Sequence, residues 1–242
     1  MNNRIKQIFT LVMTFLGILA PLPWAFSSFR PGGAAGFELE ALITPAPYAF
    51  IIWLPIYLGL LGLAIYQARP EQLDAPRAVA LRPWLALTAV LNAMWLADAS
   101  EHKLWLTVLA IFPMLIAALF LRHSLGIGAS YKGIMRPLVA STSLLAGWLS
   151  VASVVNTSTA LVNSGWTGSA TFWAVVILIV AAAIGLVVQR GWRDAVFGGV
   201  FLWALLAIAV EQWVNGNGLI VVVCMLLAVA FAVSLIPRRL RG

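Results

Sequence analysis

Eight long apolar stretches divide this chain, and they constrain its fold more than any other feature. A helix that crosses a bilayer needs about 20 mostly apolar residues. Of the 242 residues, 62% are hydrophobic, whereas a soluble domain is about 45–50% apolar. This excludes a soluble enzyme, a disordered chain and a secreted disulfide scaffold. We predict an all-α, polytopic transmembrane helical bundle of about eight spans, at residues 8–27, 46–67, 83–99, 104–121, 137–158, 170–189, 194–212 and 217–236.

The charged residues support this number of spans. The chain has 15 Lys or Arg and 8 Asp or Glu. With eight spans, all the basic residues except Arg30 and Lys103 fall on the face that carries both termini. Positive charge marks the cytoplasmic side, so we predict a multi-pass protein of the bacterial inner membrane with both termini in the cytoplasm. The formal charge of +7 then reflects topology and contact with anionic lipids of the bilayer, and no nucleic acid partner is expected.

Aromatic and amide residues interrupt the apolar stretches at one depth. Tryptophans at span ends fit the aromatic belt of a membrane interface, whereas deeper ones either fill the core or contact a ligand. An asparagine inside a bilayer needs a hydrogen-bond partner, and its ordinary role is to hold helices together. Gathered in the outer half of the membrane, the deeper residues predict a pocket for a flat, largely apolar ligand. The predicted pocket residues are Phe50, Trp53, Tyr57, Asn92, Trp95, Trp148, Ala152 and Asn156.

The segment 28–44 is expected to cover this pocket. It is Gly-rich at 32–36 and then apolar and acidic from Phe37 to Ile43. Pro45 and Pro47 follow it as the predicted loop and cap residues before the second helix.

Three of these motifs resemble the tryptophan-rich sensory protein and translocator protein family (TspO/MBR). The stretch PAPYAFIIWLPIY, residues 45–57, is similar to the second-helix signature of that family. The stretch LNAMW, residues 91–95, resembles its third-helix pattern. Trp148, Ala152, Asn156 and Asn163 have its fifth-helix spacing. The resemblance covers residues 8–165, and family members typically have five helices. We therefore predict a TspO-like five-helix transmembrane unit at 1–165, followed by three additional helices and a basic cytoplasmic tail at 166–242.

The resemblance implies an integral membrane binding protein, a sensor or carrier, whose pocket holds a porphyrin or another tetrapyrrole. On the matching positions, Trp53 and Trp148 are pocket tryptophans, while Asn92, Trp95, Ala152 and Asn156 line or support the cavity. Two alternatives stay open. One is an accessory or assembly subunit of a larger membrane complex that docks through the last three helices, and the other is a light-dependent porphyrin-degrading protein.

The residues that other chemistries need are not placed inside the spans. All three lysines lie outside them, so a retinal Schiff base is not expected. His102 and His123 lie in loops on opposite faces, and no metal site or catalytic residue is predicted. Asp98 and Glu211, at outer span ends, are weak candidates for a proton relay. No cofactor is required, enzymatic activity is not the leading expectation, and a homo-oligomer is left open.

Overall fold

The computed structural model describes residues 2–21, 40–127, 129–166 and 168–236. All regular structure in these ranges is helical. A 3-10 helix at Pro47–Ile52, called the opening turn below, runs directly into the second α-helix, and a shorter one lies at Pro70–Gln72. The α-helices are α1 (Asn3–Leu19), α2 (Trp53–Gln67), α3 (Pro76–Ser100), α4 (Leu104–Ser124), α5 (Met135–Asn163), α6 (Ala170–Trp192), α7 (Ala195–Val214) and α8 (Gly218–Leu235).

The predicted all-α membrane bundle is confirmed. Seven of the helices are long and apolar enough to cross a bilayer, the opening turn and α2 together counting as one. The remaining helix, α1, has 17 residues, and the predicted span 8–27 continues into residues outside the described part. The chain is therefore a multi-pass membrane protein.

Helix α5 is the centre of the bundle. It packs against α2, α4, α6 and α7, and 67% of its apolar window is buried, compared with 22% for α6 and for α8. Helix α1 packs on α2 and α3, α3 packs on α4, and α8 packs on α6 and α7. The large apolar surface that α6 and α8 leave uncovered is suited to contact with lipid.

Two hydrophobic clusters form the core, and α7 contributes to both. Val200, Ala204 and Ala207 belong to the cluster built mainly by α2 to α5. Phe201 and Leu205 belong to the cluster built mainly by α6 to α8. The division of the chain into units 1–165 and 166–242 stays a prediction. Helix α7 makes the larger contact of the last three helices with the first five, and α6 also packs on α5.

Glycines let two pairs of helices approach closely. A Cβ atom on Gly17 of α1 would lie 2.3 Å from the backbone oxygen of Ala89 in α3, and one on Gly59 of α2 would lie 2.1 Å from the Cβ of Ser141 in α5. Small residues at such crossings are how membrane helices gain van der Waals contact when lipid removes the hydrophobic driving force.

A buried polar group joins α1, α2 and α3 where basic residues collect. The Gln7 side chain donates to the carbonyl oxygen of Gln67, and Gln67 donates back to that of Gln7. Arg82 is only 1% exposed; its Nε donates to Gln67 Oε1 at 2.9 Å, and its other nitrogens donate to the carbonyls of Gln72 and Leu73. The guanidinium is thus satisfied inside the protein, which lets α3 begin at Pro76 rather than at the predicted residue 83.

An ion pair joins α4, α5 and α7 at the same end of the bundle. Arg122 Nε lies 3.0 Å from Asp194 Oδ2, and both side chains are buried. Ser143 Oγ donates to the same carboxylate oxygen at 2.6 Å. The other oxygen of Asp194 accepts the backbone N–H groups of Val196 and Phe197 and so caps the start of α7. This end, with the cluster of Gln7, Gln67 and Arg82, is called the basic end below.

Candidate aromatic and amide site

The opening turn and α2 carry three aromatic residues at the end of the bundle opposite the basic end. These residues, Phe50, Trp53 and Tyr57, are called the aromatic row below. Pro45 is buried and Pro47 is exposed at the first position of the turn. Trp53 and Tyr57 stack with their ring centres 5.1 Å apart and their planes at 27°. Phe50 precedes them by one turn, as the spacing predicts. The opening turn and the first turns of α2 therefore carry three of the predicted pocket residues, of which Trp53 and Tyr57 contact each other.

Helix α3 adds Asn92 and Trp95 to this row. The Tyr57 hydroxyl donates to Asn92 Oδ1 at 3.2 Å, and Asn92 Nδ2 donates to the carbonyl oxygen of Gly17 at 3.2 Å. The Trp95 ring lies 6.2 Å from that of Trp53. Asn92 therefore links α1, α2 and α3, which is the helix-joining role expected of an amide in a membrane.

Helix α5 contacts the aromatic row through Trp148. The edge of this ring meets Phe50, with ring centres 5.5 Å apart and planes at 85°. Trp148 is buried, whereas Ala152 and Asn156, one and two turns further along α5, are half-buried. The structure thus places Trp148 against the aromatic row, with Ala152 and Asn156 continuing along α5 away from the basic end.

Three predicted site residues carry buried donors without a hydrogen-bond partner among the described residues. These donors are Trp95 Nε1, Trp148 Nε1 and Asn156 Nδ2. An unpaired buried donor costs about 1–3 kcal/mol, and most buried polar groups are paired. The site therefore combines stacked aromatic rings with donors that a bound molecule with acceptor atoms would satisfy.

Helix α7 contacts this site through residues that the sequence did not predict. Trp203 Nε1 donates to the carbonyl oxygen of Ala49 at 3.1 Å, and the N–H of Ala46 donates to the carbonyl oxygen of Ala207 at 3.1 Å. The Trp203 ring also meets the edge of Tyr48 at 5.5 Å. The one signal in the sequence was a tryptophan deep in the seventh span.

The described part of the predicted cover packs onto the last helices. Residues 28–39 lie outside the described ranges, but Ala41 and Ile43 are buried in the cluster of α6 to α8. Glu40, whose side chain is exposed, precedes them. Partial desolvation, and then the negative charge of Glu211 in α7, raise the pKa of its carboxyl group from the ordinary value. The segment 40–46 is therefore held against α7, beside two acidic side chains.

The fold and site together define a polytopic helical membrane protein with an aromatic and amide site at one end of its bundle. The chain matches the model of the TSPO-like protein family over residues 4–236. It belongs to this family and is a relative of TspO/MBR proteins. The match extends beyond the predicted 8–165 and includes α6, α7 and α8. No curated protein matches the chain, and no solved structure matches it.

Proposed function

We propose that this protein binds a flat, largely apolar aromatic ligand, with a porphyrin or another tetrapyrrole as the first candidate. The ligand would lie among α2, α3 and α5, in the outer half of the bacterial inner membrane, and the protein would act as a sensor or carrier. Membership of the TSPO-like family supports a role of the TspO kind. The observation that carries the proposal is the set of unpaired buried donors: Trp95 and Trp148, whose rings contact the aromatic row, and Asn156, two turns beyond Trp148 on α5.

The chemistry of the site favours a ligand with both a ring face and acceptor atoms. Favourable contacts between aromatic rings stabilise by about 0.5–1.5 kcal/mol beyond burial, and the ring of Trp53 already makes a stacked contact with Tyr57 and a tilted contact with Trp95. A tetrapyrrole offers a broad π-surface for these rings. Its carboxylate or carbonyl oxygens would accept from the indole and amide donors.

Porphyrin titration of the purified protein tests this proposal. Binding is followed by the porphyrin absorption band, because tryptophan fluorescence changes in the variants themselves. Trp95→Phe and Trp148→Phe keep an aromatic ring and remove the N–H, so each is expected to weaken binding about three- to tenfold, the equivalent of one hydrogen bond. Trp213→Phe is the matched control, since Trp213 is 75% exposed.

Two results would contradict the proposal. A wild-type protein that leaves the porphyrin spectrum unchanged does not bind the probe. Equal affinities for wild type, Trp95→Phe and Trp148→Phe would place the porphyrin elsewhere. Irradiation of the bound complex separates simple binding from light-dependent breakdown, because only breakdown bleaches the porphyrin band progressively.

A further inference from the structure

We infer that α7 sets the geometry of the ligand site from outside it, with Trp203 as a positioning residue that fixes the opening turn and through it Phe50 and Trp53. This inference rests on the proposed ligand site among α2, α3 and α5. Its basis is two hydrogen bonds between α7 and the start of the turn. Trp203 Nε1 donates to the carbonyl oxygen of Ala49, and the N–H of Ala46, the residue before the turn, donates to the carbonyl oxygen of Ala207.

The opening turn needs these partners because it lies within the thickness of the membrane. Ala46 bonds to Ala207, which lies seven residues before the end of α7. At 1.5 Å per residue, Ala46 is therefore about 10 Å deeper in the bundle than the end of this helix. Backbone that is not α-helical is tolerated at such depth only where protein satisfies its polar groups. Pro45 and Pro47 have no N–H to satisfy, and the N–H of Ala49 donates to the carbonyl oxygen of Ala46. Helix α7 supplies an acceptor for the N–H of Ala46 and a donor for the carbonyl oxygen of Ala49.

One face of α7 is shaped to receive the turn. Val200, Ala204 and Ala207 follow one another at steps of four and three residues and are all buried in the cluster of α2 to α5. Ala49 of the turn is fully buried in the same cluster. Trp203 lies on this face, half-buried, and a buried indole N–H ordinarily finds an acceptor. Small side chains therefore admit the turn, and the indole fixes it.

A shift of the turn would move the aromatic row. Ala49 directly precedes Phe50, whose ring meets Trp148, and Trp53 one turn later meets Trp95. Trp203 need not touch the ligand to alter its affinity, because a shift of the Ala49 backbone changes both ring contacts together. Residues outside the first five helices thus set the geometry of a site within them.

The test compares Trp203→Phe with Trp213→Phe in the full-length protein. Both variants replace a tryptophan of α7 by phenylalanine, but only the first removes a hydrogen bond to the turn. With 5-fluorotryptophan incorporated, the ¹⁹F resonances of Trp53 and Trp148 report the ring geometry without any ligand. We expect Trp203→Phe to shift the Trp53 resonance and to weaken porphyrin binding about fivefold, the equivalent of one hydrogen bond. Trp213→Phe should do neither.

The ¹⁹F measurement keeps this inference separate from the proposed function. If the wild type binds no porphyrin, the ligand proposal fails, and the Trp53 and Trp148 resonances still decide whether Trp203 positions the turn. Trp53 and Trp148 resonances that are unmoved in Trp203→Phe overturn the positioning role. Ala207→Val is the second variant, because added bulk at a fully buried alanine should shift the same two resonances. Trp53 and Trp148 resonances that stay unmoved in both variants would show that α7 does not set the geometry of the site.

Discussion

At the scale of single residues, polar atoms in the apolar bundle are what give it specific helix contacts. Asn92 shows this most clearly, because its oxygen accepts from Tyr57 in α2 and its nitrogen donates to Gly17 in α1. The sequence predicted that a membrane asparagine must find a partner. It could not predict which partners, since these depend on the close approach of α1 to α3 that Gly17 permits.

The phenylalanine variant of Tyr57 tests the strength of this link. Tyr57→Phe leaves Asn92 Oδ1 without its donor, so we expect a loss of about 0.5–1.5 kcal/mol in stability. Cys224 supplies the reporter, because it is the only cysteine in the chain and is fully buried. A thiol-reactive dye therefore reports heat-induced opening of the bundle. Tyr48→Phe, at a residue 47% exposed, is the control, and equal melting of all three proteins would show that the link contributes nothing.

The raised pKa of Glu40 predicts that the stability of the protein depends on pH. Because its pKa is raised in the folded protein, the folded state keeps a proton to higher pH than the unfolded chain does. The contribution of this group to stability is thus fully present below the ordinary carboxyl range and is lost as pH rises through the raised pKa.

The variants Glu40→Gln and Glu211→Gln isolate this effect. Glu40→Gln should be more stable than the wild type at neutral pH, and the difference should shrink as the pH is lowered to about 4. Glu211→Gln should reduce this pH dependence without abolishing it, because partial desolvation is the larger cause of the raised pKa. A difference between Glu40→Gln and wild type that is the same at every pH would contradict the assignment.

At the scale of helices, the apolar periodicity predicts most elements but not the buried charges between them. Observed α4 and α6 begin at the predicted residues, 104 and 170. Helix α3 begins at Pro76, seven residues before the predicted position, and so includes Arg77 and Arg82. Whether an arginine ends a span or turns inward depends on acceptors such as Gln67 and the carbonyl of Leu73, which only the tertiary structure provides.

The Arg122 and Asp194 pair makes a sharp prediction about how α7 is held. Asp194→Ala leaves a buried guanidinium without its carboxylate and removes the cap of α7, so we expect a loss of about 3–5 kcal/mol. Glu101→Gln is the control. This substitution breaks the ion pair between Glu101 and Lys103, whose side chains are 61% and 51% exposed, respectively. It should cost less than about 1 kcal/mol. Reaction of Cys224 on heating measures both, and a melting point for Asp194→Ala close to that of Glu101→Gln would show that the buried pair does not hold α7.

At the scale of the whole molecule, the aromatic site and most of the basic residues lie at opposite ends of the bundle. Of the predicted residues, Trp53 contacts Tyr57 and Trp95, Tyr57 bonds to Asn92, and Phe50 contacts Trp148. Helical spacing and common depth, which are visible in a sequence, predicted these contacts. The part played by α7 was not predicted. Its hydrogen bonds go to backbone atoms of the opening turn, and such contacts leave no pattern in side-chain types. The site is therefore more widely supported than its motifs indicate.

Orientation in the membrane is a further prediction of the whole molecule. Because positive charge marks the cytoplasmic side of a membrane, the Arg and Lys residues at the basic end predict that both termini lie in the cytoplasm. After Cys224→Ala removes the only cysteine, Lys132→Cys and Lys103→Cys form a matched pair, because both lysines are exposed in loops and lie at opposite ends. In intact cells a membrane-impermeant maleimide should label the Lys103→Cys protein, and should label the Lys132→Cys protein only after the cells are permeabilised. If only the Lys132→Cys protein were labelled in intact cells, the orientation would be the opposite of the predicted one. The aromatic site would then lie in the cytoplasmic half of the bilayer, where a ligand would arrive from inside the cell.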